Sequence, residues 1–161
     1  MLFGNRKSKE EKCCCVTGHR EIQPEKLGYV EKELRMEVRE AIREGYTRFY
    51  SGFAQGVDLL FAQIVAEEKI LHPEVSLEAA IPYAGRLKTR DPLFQRLIRV
   101  CGNVTVACEQ YEPSCYLQRN RYMVDHSQRV IAVHDGRMQG GTWYTMEYAR
   151  RMKREVHVIR V

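Results

Sequence analysis

Six short apolar or β-branched runs alternate along the chain with five stretches whose apolar residues recur at helical spacing. No other feature of the sequence narrows the fold so far. The runs cover residues 13–17, 47–50, 77–81, 104–108, 130–133 and 156–159. Behind Pro24, the residues Leu27, Val30, Leu34, Val38, Ala41 and Ile42 form one helical stripe, which Gly45 ends. Val57, Leu60, Phe61, Ile64 and Val65 form a second, ending near His72-Pro73. Leu93, Leu97 and Val100 are the inward positions of a third helix over 92–100, and two more are predicted over 116–126 and 143–153. Connections of a dozen or more residues allow parallel pairing through right-handed βαβ crossovers. The run at 13–17 is apolar without alternation, as a strand covered on both faces requires. The prediction is one α/β, doubly wound domain over residues 13–161. Its mainly parallel sheet has about six strands, with helices on both faces.

Composition and charge exclude several classes of function. No run reaches the ~18 apolar residues of a membrane span. No apolar stretch follows the basic N-terminus as in a secretory signal. A cytoplasmic protein with no membrane partner is expected. Residues 1–12 read as a disordered charged leader with four basic and two acidic side chains. The net charge of +5 therefore falls to +3 over the remainder. That mild excess suits an anionic small molecule better than nucleic acid. Cys13-Cys14-Cys15 lie within one strand, and Cys101, Cys108 and Cys115 recur every seven residues. Neither pattern has the CxxC spacing of zinc sites, so reduced, mostly buried thiols and no metal are expected.

In such sheets ligands bind beyond the carboxyl ends of the strands. Three glycine-bearing segments fall there: Thr17-Gly18-His19-Arg20, Ser51-Gly52-Phe53-Ala54-Gln55-Gly56-Val57-Asp58, and the stretch from Asp135 to Gly140-Gly141-Thr142. Small residues admit a ligand or another backbone, and the free N–H groups of a following helix hold an anion. Each segment also fits a tight strand-to-helix turn packed on the sheet. Arg119-Asn120 adds a guanidinium suited to phosphate or carboxylate. Asp58 reads as a helix cap or a tie to the 17–20 loop rather than a catalytic group. Trp143 and Tyr144 suit base stacking or core packing.

Taken together, these residues resemble the YpsA-like members of the SLOG superfamily, which joins DprA (Smf) with the LOG cytokinin-activating enzymes. Residues 51–58 are similar to the SGxAxGxD signature of DprA, and residues 17–20 match the TGHR that opens YpsA-like proteins. Arg119-Asn120-Arg121-Tyr122-Met123, Asp125-His126-Ser127 and Gly140-Gly141-Thr142 follow the LOG order. The likeness spans residues 13–161. It implies a Rossmann-like fold and a pocket for a nucleotide or nucleotide-derived ligand of the AMP, NAD or ADP-ribose class. It also implies self-association, since LOG and DprA relatives form dimers or larger assemblies.

Enzymatic LOG relatives release ribose 5-phosphate from nucleoside 5′-monophosphates. They use an arginine at the position of Arg119 and a glutamate at the position of Thr145. The nearest carboxylate here is Glu147, two residues on and roughly 200° around a helix. Ligand binding by a sensor or regulatory module is therefore the leading expectation. LOG-like N-glycosidase activity through Arg119 and Glu147 is the alternative, and DprA-like binding of single-stranded DNA ranks third.

Overall fold

The computed structural model describes residues 10–161. The expected leader lies largely outside the described residues, and Lys12 already belongs to the first strand. The strands are β1 (Lys12–Gly18), β2 (Tyr46–Ser51), β3 (Ser76–Tyr83), β4 (Asn103–Cys108), β5 (Arg129–His134) and β6 (Glu155–Arg160). The helices are α1 (Leu27–Arg43), α2 (Val57–Leu71), α3 (Pro92–Arg99), α4 (Cys115–Asp125) and α5 (Gly141–Arg151). Short 3-10 turns at Pro24–Lys26 and Ala84–Lys88 precede α1 and α3.

All five strand pairings are parallel, in the order β4-β3-β2-β1-β5-β6. The chain winds outward from β1 to β4, then crosses back to the far side of β1 and continues to β6. Right-handed crossovers in opposite directions must place their helices on opposite faces. Accordingly α1, α2 and α3 cover one face and α4 and α5 the other, each over its own apolar cluster. The adjacent cysteines divide between them: Cys14 faces the α1–α3 layer, Cys13 and Cys15 the other. The order reverses between β1 and β5, where loops after neighbouring strands part and leave a crevice.

Two expected core positions differ. Leu27 is 44 % exposed because it stands at the first position of α1, behind the 3-10 turn that Pro24 starts. Val100 is 46 % exposed because α3 ends before it. Phe94, not among the expected inward positions, is buried, and its ring packs edge-on against Phe53 at 5.4 Å. Among the described residues no helix is long and apolar enough to cross a membrane.

Phe49 on β2 is fully buried and packs against Phe61 of α2 with ring centroids 6.3 Å apart. Phe49→Ala is expected to cost about 3–5 kcal/mol through lost burial and a residual cavity. Ile70→Ala, at an 80 % exposed position, should stay within about 0.5 kcal/mol. Urea unfolding at constant slope measures both.

Candidate functional site

The β2–α2 turn is held from within. Ser51 Oγ donates to the Asp58 carbonyl at 2.8 Å and accepts the Phe53 N–H at 3.2 Å. The Asp58 carboxylate accepts the Ala54 N–H at 3.3 Å. The β1–α1 loop lies directly on this turn, with the Val57 N–H donating to the His19 carbonyl at 3.2 Å. Gly56 makes that approach feasible: a Cβ there would lie 2.4 Å from the Arg20 carbonyl oxygen, and its φ is +79°. A Cβ on Gly18 would lie 2.6 Å from the Val57 side chain. These two glycines therefore serve turn-on-turn packing.

Arg119 enters the same edge from α4 on the opposite face. Its side chain is buried, and Nη1 donates to the Gly52 carbonyl at 2.6 Å and to that of Ala80 at 3.4 Å. Nε donates to Asn120 Oδ1 at 2.7 Å. A Cβ on Gly52 would meet Arg119 Nη1 at 2.5 Å and Asp58 Oδ2 at 2.7 Å, so both charged groups press on that glycine. Burial pushes the Asp58 carboxyl up to about 6, while Arg119, the Ala54 N–H and Arg20 pull it the other way. Burial also lowers the Arg119 guanidinium, opposed by Asp58. The enclosure thus acts against both charged forms.

These groups border one cleft at the crevice between β1 and β5. Its larger part, about 320 Å³, is lined by Thr17, Gly18, His19 and Arg20, by Ala54 and Asp58, by Arg119 and Asn120, and by Gly141 and Thr142. An adjoining part of about 170 Å³ includes Gly52, Phe53 and Gln55 and shares Arg20, Ala54 and Arg119 with the first. At the start of α5 a Cβ on Gly140 or Gly141 would meet nothing within 4 Å. The first helical bond of α5 runs from Tyr144 to the Gly140 carbonyl, and no side chain caps the helix. The N–H groups of Gly141, Thr142 and Trp143 therefore have no partner in the helix. Gly140 borders a neighbouring hollow with His19, Gly141 and Thr142.

Several expected site residues lie elsewhere or are engaged otherwise. Ser51 is wholly buried and used by the turn. Phe53, although it touches the cleft, belongs to the core through Phe94. Asp135 lines a separate hollow beside His19, 3.7 Å away. It is held down at about 2, chiefly by the Arg137 N–H and guanidinium. Glu147 is excluded from the cleft: it pairs with Arg150 at 2.7 Å on the outer side of α5. Thr145, at the position of the LOG glutamate, is buried and donates to the Gly141 carbonyl at 2.9 Å. Helix rotation separates the two, as two residues on α5 must face different ways. Trp143 stacks on His134 at 5.9 Å, which in turn stacks on His19 at 5.8 Å, and Tyr144 is exposed.

Among the lining residues absent from the expected set, Tyr116 and Arg86 carry groups able to engage a ligand. Tyr116 lies beneath Arg20 at 5.0 Å and Arg119 at 5.6 Å from its ring centre. Arg86, from the 3-10 turn after β3, lines the same part of the cleft. A spacing of three on α4 was a signal for Tyr116, since i and i+3 are neighbours on a helix. For Arg86 the sequence offered only a basic stretch.

Gly52→Ala should destabilise the fold by about 1–3 kcal/mol, the usual range for overpacking, as read from denaturant midpoints. Because burial raises Asp58 from 3.8 to about 6, the folded state holds its proton more tightly than the unfolded chain. Relative to Asp58→Asn, the wild-type protein should lose stability as pH rises from about 4 to about 6. A flat difference between the two unfolding-versus-pH curves would contradict this assignment.

The comparisons agree with this architecture. The chain resembles the SPbeta prophage-derived protein YoqJ of Bacillus subtilis, 26% identical over 125 residues, covering 68% of this chain and 72% of that one. A UPF0398 protein of Halalkalibacterium halodurans is 26% identical over 147 residues, covering 84% and 75%. Among solved structures, DNA processing protein A from Helicobacter pylori, described with a single-stranded DNA binding mode, superposes with a TM-score of 0.67 at 18% identity. That match covers 91% of this chain, which spans 64% of the Helicobacter protein. The X-ray structure of TM1055 gives a TM-score of 0.59 at 15% identity over 90% of this chain and 72% of that one. The model of the YspA SLOG family matches residues 14–160, and the chain belongs to that family.

Proposed function

We propose that the cleft binds a nucleotide or nucleotide-derived ligand through its phosphate groups, and that the chain acts as a sensor or regulatory module. The observation that carries this reading is the gathering of Arg20, Arg86 and Arg119 with the open N-terminus of α5. A phosphate at Gly140, Gly141 and Thr142 would be held by N–H groups and by the helix dipole. Arg119, fixed by Gly52, Ala80 and Asn120, offers its remaining Nη2 donors to an anion in a set orientation. The sugar or base would occupy the space between residues 17–20 and 52–56, with Tyr116 as an aromatic wall. Binding is favoured over glycoside cleavage because Glu147 is engaged by Arg150 outside the cleft. A hydroxyl at Thr145 cannot stabilise a cationic sugar as a carboxylate does.

Calorimetry against AMP, NAD, ADP-ribose and cyclic nucleotides tests the proposal. At least one should bind, and Arg119→Ala should weaken it about 10–100-fold, the worth of hydrogen bonds to a charged group. Asp58 faces this site and titrates at about 6. Affinity for ADP-ribose, whose phosphates keep their charge, should therefore rise as pH falls from 7 to 5. Asp58→Asn should flatten that rise, leaving the share of His19, which lines the same cleft and whose imidazole burial holds below its ordinary value. No binding by any of these compounds rejects the proposal. Release of free base would favour hydrolysis, and a salt-sensitive gel shift with single-stranded DNA would favour the activity named for the Helicobacter protein.

A further inference from the structure

The loop from β4 to α4 carries a second cluster that the nucleotide cleft does not use. Cys108 ends β4, Cys115 opens α4 and Glu112 lies on the loop between them. Their two sulfur atoms and a carboxylate oxygen all lie within 4.8 Å of one another. The sequence spacing, Cys-x3-Glu-x2-Cys, resembles no common zinc motif. It is the return of the loop onto its own start that closes the set. The loop also supports the Cys115 sulfur: the Glu112 N–H donates to it at 3.1 Å, and the thiol reaches the Gln110 carbonyl at 3.6 Å.

The surroundings suit a partly closed centre. Cys115 is wholly buried and Cys108 nearly so, while Glu112 is exposed and forms the mouth. Tyr83, the strand partner of Cys108, packs its ring edge-on against Tyr111 at 5.3 Å and Tyr116 at 6.4 Å. These rings form an aromatic wall beside the cluster, and such a shell limits solvent access to a bound ion. The strand cysteines offer no comparable set: Cys13, Cys14 and Cys15 alternate between the two faces of the sheet.

We propose that Cys108, Glu112 and Cys115 bind a divalent cation of the zinc class through two thiolate sulfurs and one carboxylate oxygen. Two sulfurs select a borderline-soft ion over magnesium or calcium. Three protein ligands leave one position of a tetrahedron for water or another donor. Loading removes the two thiol protons and releases them to solvent. The ion would pin the first turn of α4, one residue before Tyr116 and four before Arg119. It would thus steady one wall of the cleft whatever the cleft binds. The site stands independently of the nucleotide reading.

The full chain, reduced with a phosphine and titrated anaerobically with Co²⁺, supplies the test. One equivalent should give thiolate-to-cobalt charge-transfer absorption with tetrahedral d–d bands, both bleached by Zn²⁺. Cys108→Ser and Cys115→Ser should each lower the charge-transfer band to about half or less, the double variant should abolish it, and Glu112→Gln should weaken affinity roughly tenfold or more. Absence of the charge-transfer band, or its persistence in the double serine variant, overturns the proposal. Because Cys115 is buried, its variant needs a readout that does not depend on substitution. In the wild-type chain at neutral pH, one equivalent of Zn²⁺ should release the two thiol protons, read with an indicator dye in weak buffer. Zn²⁺ uptake without proton release overturns the proposal, as does a Cys108–Cys115 disulfide that forms in place of metal uptake.

Discussion

The hydrogen bond from the Arg119 guanidinium to the Gly52 carbonyl joins the two halves of the molecule at the carboxyl edge of the sheet. Arg119 comes from α4, in the layer with α5, whereas Gly52 begins the turn that leads to α2 in the other layer. The sheet separates those layers everywhere except at its edges. A bond across the edge fixes how the helix starts and turns on either side face one another. The cleft depends on that relation, because its walls come from the ends of β1 and β2, from α4 and from the start of α5.

Keeping a guanidinium and a carboxylate in that enclosure acts against folding, as their displaced ionisations indicate. Burying charge is costly unless other groups compensate. Here compensation comes from carbonyls for Arg119, from one N–H for Asp58, and from their mutual attraction. Such a balance is more typical of a functional site than of structural packing. A bound anion beside Arg119 would supply the counter-charge that Asp58, pulled toward its neutral form, supplies incompletely.

The glycines illustrate how similar sequence signals acquire different meanings. Gly18 and Gly56 sit where another part of the chain fills the space of a side chain, and Gly52 sits where two charged groups do. Gly140 and Gly141 face open space, and their backbone N–H groups remain available. By composition alone the segments looked alike, because absence of a Cβ does not reveal what occupies the vacated volume. The cysteines show the same ambiguity. A seven-residue interval between Cys108 and Cys115 says nothing of a loop that returns upon itself.

The order of strands and helices, the parallel sheet and most buried stripes followed from the sequence alone. Apolar pattern and crossover length are local properties of the chain, so short continuous apolar runs and apolar recurrence near every four residues suffice to assign them. The resemblance at residues 17–20, 51–58 and 119–123 also pointed to the edge where the cleft lies. Tertiary structure alone decided which groups share the cleft: it admitted Tyr116 and Arg86, turned Glu147 outward to Arg150 and set Asp135 in a neighbouring hollow. Those outcomes depend on helix rotation and on loops packing across the reversal between β1 and β5. They join residues far apart in the chain, and no local periodicity encodes the distance between them.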